Sequence, residues 1–235
     1  MVKKHIASIS APKSWPISRK KEVFLMRPMP GRNFNVSMPL GIILKDMLNL
    51  TTTTKESKKI LKEGKVLVNK KKIEEVKHPV GLMDVVEVPE LHSTYRMVLN
   101  GRGKLEMLKV DEKEAAIKPC KIINKTSLKG GKTQINMDDG TNMLSDKKDY
   151  KVGDTLVLSL PELKAKEHLK LEKGALVYVT AGTKVGQVGT FEGLRSFKGG
   201  QPDNVVIQTK NGTIETRKEY ALVIGHGGKG VISTE

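Results

Sequence analysis

The chain has 235 residues, with 42 Lys and Arg against 26 Asp and Glu and a formal net charge of +16. A field of that sign attracts polyanions, nucleic acid first. An anionic membrane is set aside, because the longest apolar stretch, around Leu40 to Leu44, is short and interrupted by Gly41. Hydrophobic residues are 37% and aromatics 4% of the chain, which favours several small cores over one large one.

The single cysteine, Cys120, excludes an internal disulfide and a Cys-based zinc site. No apolar signal-peptide core follows the basic first residues, and a reducing, cytoplasmic setting is expected. Charge is uneven. Residues 1–72 carry 17 Lys and Arg against 4 Asp and Glu, a net of +13, which leaves +3 for the other 163 residues. The N-terminal third is therefore the expected polyanion-contacting part.

Residues 1–38 show no helical or strand period. Pro12, Pro16, Pro28, Pro30 and Gly31 punctuate them, with Trp15, Phe24 and Phe34 among Lys3, Lys4, Lys13, Arg19, Lys20, Lys21, Arg27 and Arg32. Such a stretch is expected to lack a core of its own and to order along RNA. Trp15 would stack on a base or plug into a neighbouring domain.

A compact unit is predicted from Pro39. Leu40, Ile43, Leu44 and Met47 fall at i, i+3, i+4, i+7, with Pro39 as the first helical residue. A second helix is predicted over about 54–63, from the capping-box spacing of Thr53 and Glu56 to a stop at Gly64. At 100° per residue, Lys55, Lys58, Lys59 and Lys62 share one side, with Ser57, Ile60 and Leu61 roughly opposite.

Val66-Leu67-Val68 then reads as a strand, and Asn69-Lys70-Lys71-Lys72 as a tight turn opening a second one. Positive φ at Lys70 would cost about 1 kcal/mol. Lys70, Lys71 and Lys72 would extend the helix's basic face onto this hairpin. Residues 80–88 supply another turn and strand.

From 91 to 160 strands are predicted, with turns at Asn100-Gly101, Gly130-Gly131, Asp138-Asp139-Gly140 and Gly153-Asp154. Pro161 and the helix-prone Glu162 to Leu169 form a connection. A last β unit starts at Gly174, where Asn211-Gly212 is the strongest hairpin signal in the chain, and a flexible tail follows from His226. Short strands with glycine corners suggest a small barrel.

Chemistry-bearing patterns are few. Gly130-Gly131-Lys132-Thr133 looks like the end of a phosphate-binding loop, but Thr126 stands where that motif needs its first glycine, and strands flank it. His5, His78, His92, His168 and His226 are too far apart in sequence for metal-ligand spacing, and Asp138-Asp139 before Gly140 reads as a turn. No catalytic residue, metal or cofactor is expected.

The unit from Pro39 to Val88 resembles the alpha-L RNA-binding motif, through its two helices, the Gly64-x-Val66-x-Val68-Asn69 run and Gly81-x-x-Asp84-Val85. Gly174 to about Leu194 is similar to a KOW motif on an SH3-like barrel. Nearly the whole chain resembles the small-subunit ribosomal protein S-four-e family of archaea and eukaryotes. The matching residues are Ala11-Pro12-Lys13-x-Trp15, Arg27-Pro28-x-Pro30-Gly31, Pro39-Leu40, Pro79-Val80-Gly81-x-Met83-Asp84-Val85, Tyr150-Lys151-x-Gly153-Asp154-Thr155, Ser159-Leu160-Pro161-Glu162 and Val223-Ile224-Gly225.

The resemblance implies a non-enzymatic constituent of the small subunit, monomeric within the ribosome, whose partners are ribosomal RNA and neighbouring ribosomal proteins. The length favours an archaeal member. The implied fold class is multidomain α+β, mostly β: a basic extension (1–38), an alpha-L unit (39–90), a central β domain (91–170), a KOW or SH3-like barrel (171–225) and a tail (226–235). An RNA-modifying enzyme, such as a pseudouridine synthase, and a KOW-type factor are the alternatives. Both would use the same RNA-binding module.

Overall fold

A computed structural model of the chain describes residues 5–129, 131–145, 149–196, 202–209 and 212–234. The backbone divides into two compact units. One comprises Met1–Leu99 with Gly103–Ala116; the other comprises Asn100–Arg102 with Ile117–Glu235.

In the first unit, β1 (His5–Ala7) pairs antiparallel with β2 (Phe24–Met26). Then come β3 (Ser37–Pro39), a short helix α1 (Leu40–Ile42) that runs into a π turn over Ile43–Met47, and α2 (Thr54–Lys62). The strands β4 (Leu67–Val68), β5 (Lys71–Lys72), β6 (Pro79–Gly81), β7 (Val85–Val88), β8 (Ser93–Leu99) and β9 (Leu105–Lys109) follow, with α3 at Glu112–Ala115. The main sheet has the order β5-β4-β7-β8-β9, and β3 pairs separately with β6.

The sheet does not stop near residue 90. Val85 to Val88 pair with Ser93 to Arg96, and β8 pairs onward with β9, so the sheet continues to Lys109. Pro39 stands one residue before α1, as its N-cap in extended conformation, rather than as its first helical residue. Leu40, Ile43 and Leu44 are fully buried, as their spacing predicts.

Residues 5–38 are also part of this unit, ordered against its core rather than left as a separate extension. Trp15, Leu25 and Met38 are buried, and Leu105 N–H donates to the Ser14 carbonyl at 2.7 Å. The segment buries few apolar residues of its own and borrows the core beneath it.

The second unit starts with β10 (Ile117–Ser127), β11 (Thr133–Met137), β12 (Asn142–Ser145), β13 (Thr155–Ser159) and β14 (Lys164–Leu169), in the order β12-β11-β10-β13-β14. A six-stranded sheet follows, from β15 (Ala175–Val179), β16 (Val188–Arg195), β17 (Asn204–Thr209), β18 (Gly212–Arg217), β19 (Ala221–His226) and β20 (Lys229–Gly230), in the order β18-β17-β16-β15-β19-β20.

The strand β13 joins the two sheets' cores. Successive side chains of a strand point to opposite faces. Leu156 and Leu158 pack with Cys120, Ile122 and Ile135, while Val157 packs with Val177, Val205 and Val223 of the second sheet. A run buried on both faces is uninterrupted by polar residues, and Leu156-Val157-Leu158 has that character.

Two further expectations are corrected. Lys164 to Leu169, helix-prone by composition, is a strand, because pairing with β13 overrides a weak local preference. The tail from His226 is not free: β20 folds back on β19, and Ile232 is buried. Asn211 lies outside the described residues, but the strands on either side of it pair, with Ile207 opposite Ile214.

Candidate nucleic-acid interface

Helix α2 is fixed at its start by the predicted capping box. Glu56 N–H donates to Thr53 Oγ1 at 3.3 Å, and Glu56 Oε2 accepts from Thr53 N–H at 3.3 Å and from Thr52 N–H at 2.8 Å. These bonds hold the Glu56 carboxyl below its ordinary range. The helix is anchored on its inner side by fully buried Leu61 and Ser57, whose hydroxyl lies 2.8 Å from that of buried Thr51.

With that face buried, Lys55, Lys58, Lys59 and Lys62 are all exposed and line, with Glu63, a shallow open depression. Among the described residues, no ion pair engages any of these four lysines. Neighbouring lysines are differently placed. Lys65 pairs with Glu63 at 3.0 Å and with Glu90 at 3.2 Å, and Lys45 pairs with Glu22.

The hairpin after α2 turns at Asn69 (φ 51°) and Lys70 (φ 64°), two left-handed residues between β4 and β5, as a type I′ turn demands. Gly64 at the end of α2 has φ 73°, and a Cβ there would lie 1.9 Å from Lys72 Cε. Glycine thus ends the helix and lets the Lys72 stem cross over it, which makes helix and hairpin one basic surface. Lys71 and Lys72 are exposed on it. Lys70 is not free: its Nζ is 3.0 Å from Glu87 Oε2, a carboxylate that is itself buried.

Three residues of the N-terminal segment read as RNA contacts serve the fold instead. Trp15 is 1% exposed, its indole N–H donates to the Ser37 carbonyl at 2.8 Å, and its ring lies 5.9 Å from that of Phe34. A ring so enclosed presents no face to a base. Arg19 donates to the carbonyls of Ser8, Ile9, Ala11 and Pro12, tying this irregular segment together. Arg32 pairs with the fully buried Asp84 at 3.1 Å.

Lys13, Lys20, Lys21 and Arg27 are exposed, and the Arg27 guanidinium lies 5.9 Å from the Phe34 ring centre. Lys3 and Lys4 lie outside the described residues. The sequence reading missed Asp84 as a partner for the turn. Its only local signal was the Asp after Gly81-Leu82-Met83.

Other chemistry is sparse. Cys120, Asp138 and Asp139 bring potential metal-ligand atoms within 4.8 Å of one another. However, Lys118 Nζ sits 2.6 Å from Asp139 Oδ2, so an internal ammonium already supplies that carboxylate with a positive charge. β10 and β11, on either side of Gly131, form an antiparallel hairpin, as the reading against a phosphate-binding loop requires. No helix of the described residues is long and apolar enough to cross a membrane.

Comparison with known proteins places these features in a family. The RS4NT (NUC023) domain matches residues 2–31, the S4 domain 42–86 and the ribosomal family S4e 91–165. The small ribosomal subunit protein eS4 of Methanocella arvoryzae is 40% identical over 94% of each chain. The chain belongs to the ribosomal S4e family. The Methanothermobacter thermautotrophicus member is 39% identical over 95% of this chain and 93% of its own length. The crystal structure of 30S ribosomal protein S4e from Thermoplasma acidophilum superposes with a TM-score of 0.71 at 32% identity, covering 83% of this chain and 98% of that one. Within this S4e chain, the lysine face of α2 and the hairpin beside it fall on the segment that the S4 domain matches.

Proposed function

We propose that this S4e-family chain is a structural constituent of the small ribosomal subunit and binds its ribosomal RNA through Lys55, Lys58, Lys59 and Lys62, with Lys71 and Lys72 beside them. The observation that carries the reading is the α2 face: four exposed lysines on a capped, anchored helix, with no ion pair to any of them among the described residues. Each ammonium that neutralises a phosphate releases a condensed counterion, so binding is driven by salt-sensitive entropy.

Such contacts position a protein on a folded RNA and carry little sequence information. The exposed Lys13, Lys20, Lys21 and Arg27 extend the contact along the N-terminal segment. The β sheets of the second unit brace RNA or neighbouring ribosomal proteins. In this reading the chain acts as one copy per cytoplasmic ribosome, with neither membrane partner nor catalysis.

The test is quantitative mass spectrometry of salt-washed small subunits from the native organism. About one copy per subunit, resistant to the wash, is expected. A trace that washes away would refute the constituent role and turn attention to RNA modification or to a transient factor.

A further inference from the structure

Trp15 is buried and Phe34 packs against it, which leaves Phe24 as the exposed aromatic side chain of the N-terminal segment. Its position follows from the β1–β2 register. His5 lies opposite Met26, Ile6 opposite Leu25 and Ala7 opposite Phe24. Alternation puts Ile6 and Leu25 on one face of the ribbon, and Leu25 is 4% exposed there. The other face carries His5, Ala7, Phe24 and Met26.

Phe24 is 66% exposed on that face, and the methyl of Ala7 opposite is too small to cover a phenyl ring. Ser8 N–H donates to the Val23 carbonyl at 2.9 Å, which keeps the two strands' ends together and holds Phe24 in place on this face. A phenyl ring this exposed, opposite only a methyl, is open to a flat partner.

The rim decides the occupant. Residues 5–32 hold six Lys and Arg against one acid, Glu22, and Glu22 is paired with Lys45. Lys20 and Lys21 are exposed in the connection that leads directly into Val23 and Phe24. An aromatic platform set among cations that bear on a backbone is the arrangement that holds an unpaired base while its phosphates are neutralised. Base stacking needs only a ring face, so no hydrogen-bonding side chain is required beside it.

We propose that the outer face of the β1–β2 ribbon seats an unpaired base of ribosomal RNA on Phe24, with Lys20 and Lys21 on the adjoining phosphates. The proposal rests on the ribosomal RNA reading above and adds a second contact of a different kind, apolar stacking in place of counterion release.

The test uses the full chain and an in-vitro-transcribed archaeal small-subunit ribosomal RNA, titrated over a range of salt. Phe24→Leu keeps an apolar side chain but removes the ring. It is expected to bind roughly 5- to 150-fold more weakly, with the same salt slope as the wild type and an unchanged urea midpoint. Phe24→Tyr, which restores a ring, is expected to recover the affinity. Lys20→Glu with Lys21→Glu is expected to reduce the slope instead.

If the wild type binds and Phe24→Leu binds equally well, the stacking site is overturned and the ribosomal RNA reading stands. A weaker Phe24→Leu that Phe24→Tyr does not rescue, or whose salt slope also falls, overturns stacking as the cause. A wild type that does not bind the transcript removes the reading and the stacking site together.

Discussion

Asn69 grips Asp84 from within a reverse turn: its Nδ2 donates to Asp84 Oδ1 at 2.8 Å, while its own Oδ1 accepts from Val85 N–H at 3.0 Å. Asp84 also accepts from Arg32 and, through Oδ2, from Gly81 N–H at 2.7 Å. One fully buried carboxylate therefore ties the β4–β5 turn, the β6–β7 turn and the N-terminal segment together. Removing it would take away the acceptor that Arg32, Asn69 and a buried N–H share. Asp84→Ala is expected to cost the first unit about 3–5 kcal/mol, read as a lower urea midpoint. A loss below about 1 kcal/mol would mean that water replaces the carboxylate.

The α2 lysines offer a prediction on binding alone. They are exposed and touch nothing that the fold requires, so Lys58→Glu with Lys59→Glu should leave the urea midpoint nearly unchanged. Affinity for the ribosomal RNA transcript should fall, and the slope of log affinity against log salt should flatten by about 0.7–0.9 for each phosphate that is no longer neutralised. Lys70→Glu should act differently, because it places a second carboxylate beside Glu87 and should lower stability as well. An unchanged slope in the α2 double variant would move the interface off this face.

Trp15 is the chain's single tryptophan, so fluorescence excited beyond the tyrosine absorption band reports on it alone. Enclosed as it is, its emission should be blue-shifted and resistant to acrylamide, and saturating RNA should leave it nearly unchanged. Strong quenching on RNA addition would instead place a base against the indole. Trp15→Ala should cost about 3–5 kcal/mol through the cavity it leaves, and in addition would orphan the Ser37 carbonyl.

Local chemistry was legible in the sequence where one signal had one outcome. The Thr53–Glu56 box, the Gly64 stop, the Asn69-Lys70 turn and the lysine face of α2 all stand where spacing put them. What was not legible depends on partners far along the chain. The carbonyls that consume Arg19, the Asp84 that takes Arg32 and the Glu87 that takes Lys70 turn apparent RNA contacts into structural ones, and Glu87 is 17 residues from Lys70. Trp15 and Phe24 are alike in a sequence of scattered prolines and lysines. Only the strand register and the Ser37 carbonyl tell the buried ring from the exposed one. For the same reason Lys164 to Leu169 hid its strand character, which comes from β13 and not from its own residues.

The second unit carries a buried cation whose cost can be read by titration. Lys121 is 9% exposed, and its Nζ donates to the carbonyls of Lys218 at 2.6 Å and Glu219 at 2.8 Å. Burial pushes its pKa down to about 8 from the ordinary 10.5, and the Lys218 charge adds to this, while Asp138 and Glu219 oppose it. Between those two values the unfolded chain keeps the proton and the folded chain has released it. The unfolded state then binds more protons, so stability rises with pH across this window. Below pH 8 both states are protonated, and the full penalty of about 3 kcal/mol applies. Lys121→Met removes the titration. The urea midpoint of the wild type should therefore climb relative to Lys121→Met from pH 8 towards 10.5 and stay parallel to it below pH 8. A constant difference across the range would mean that the two carbonyls hold the ammonium charged despite its burial.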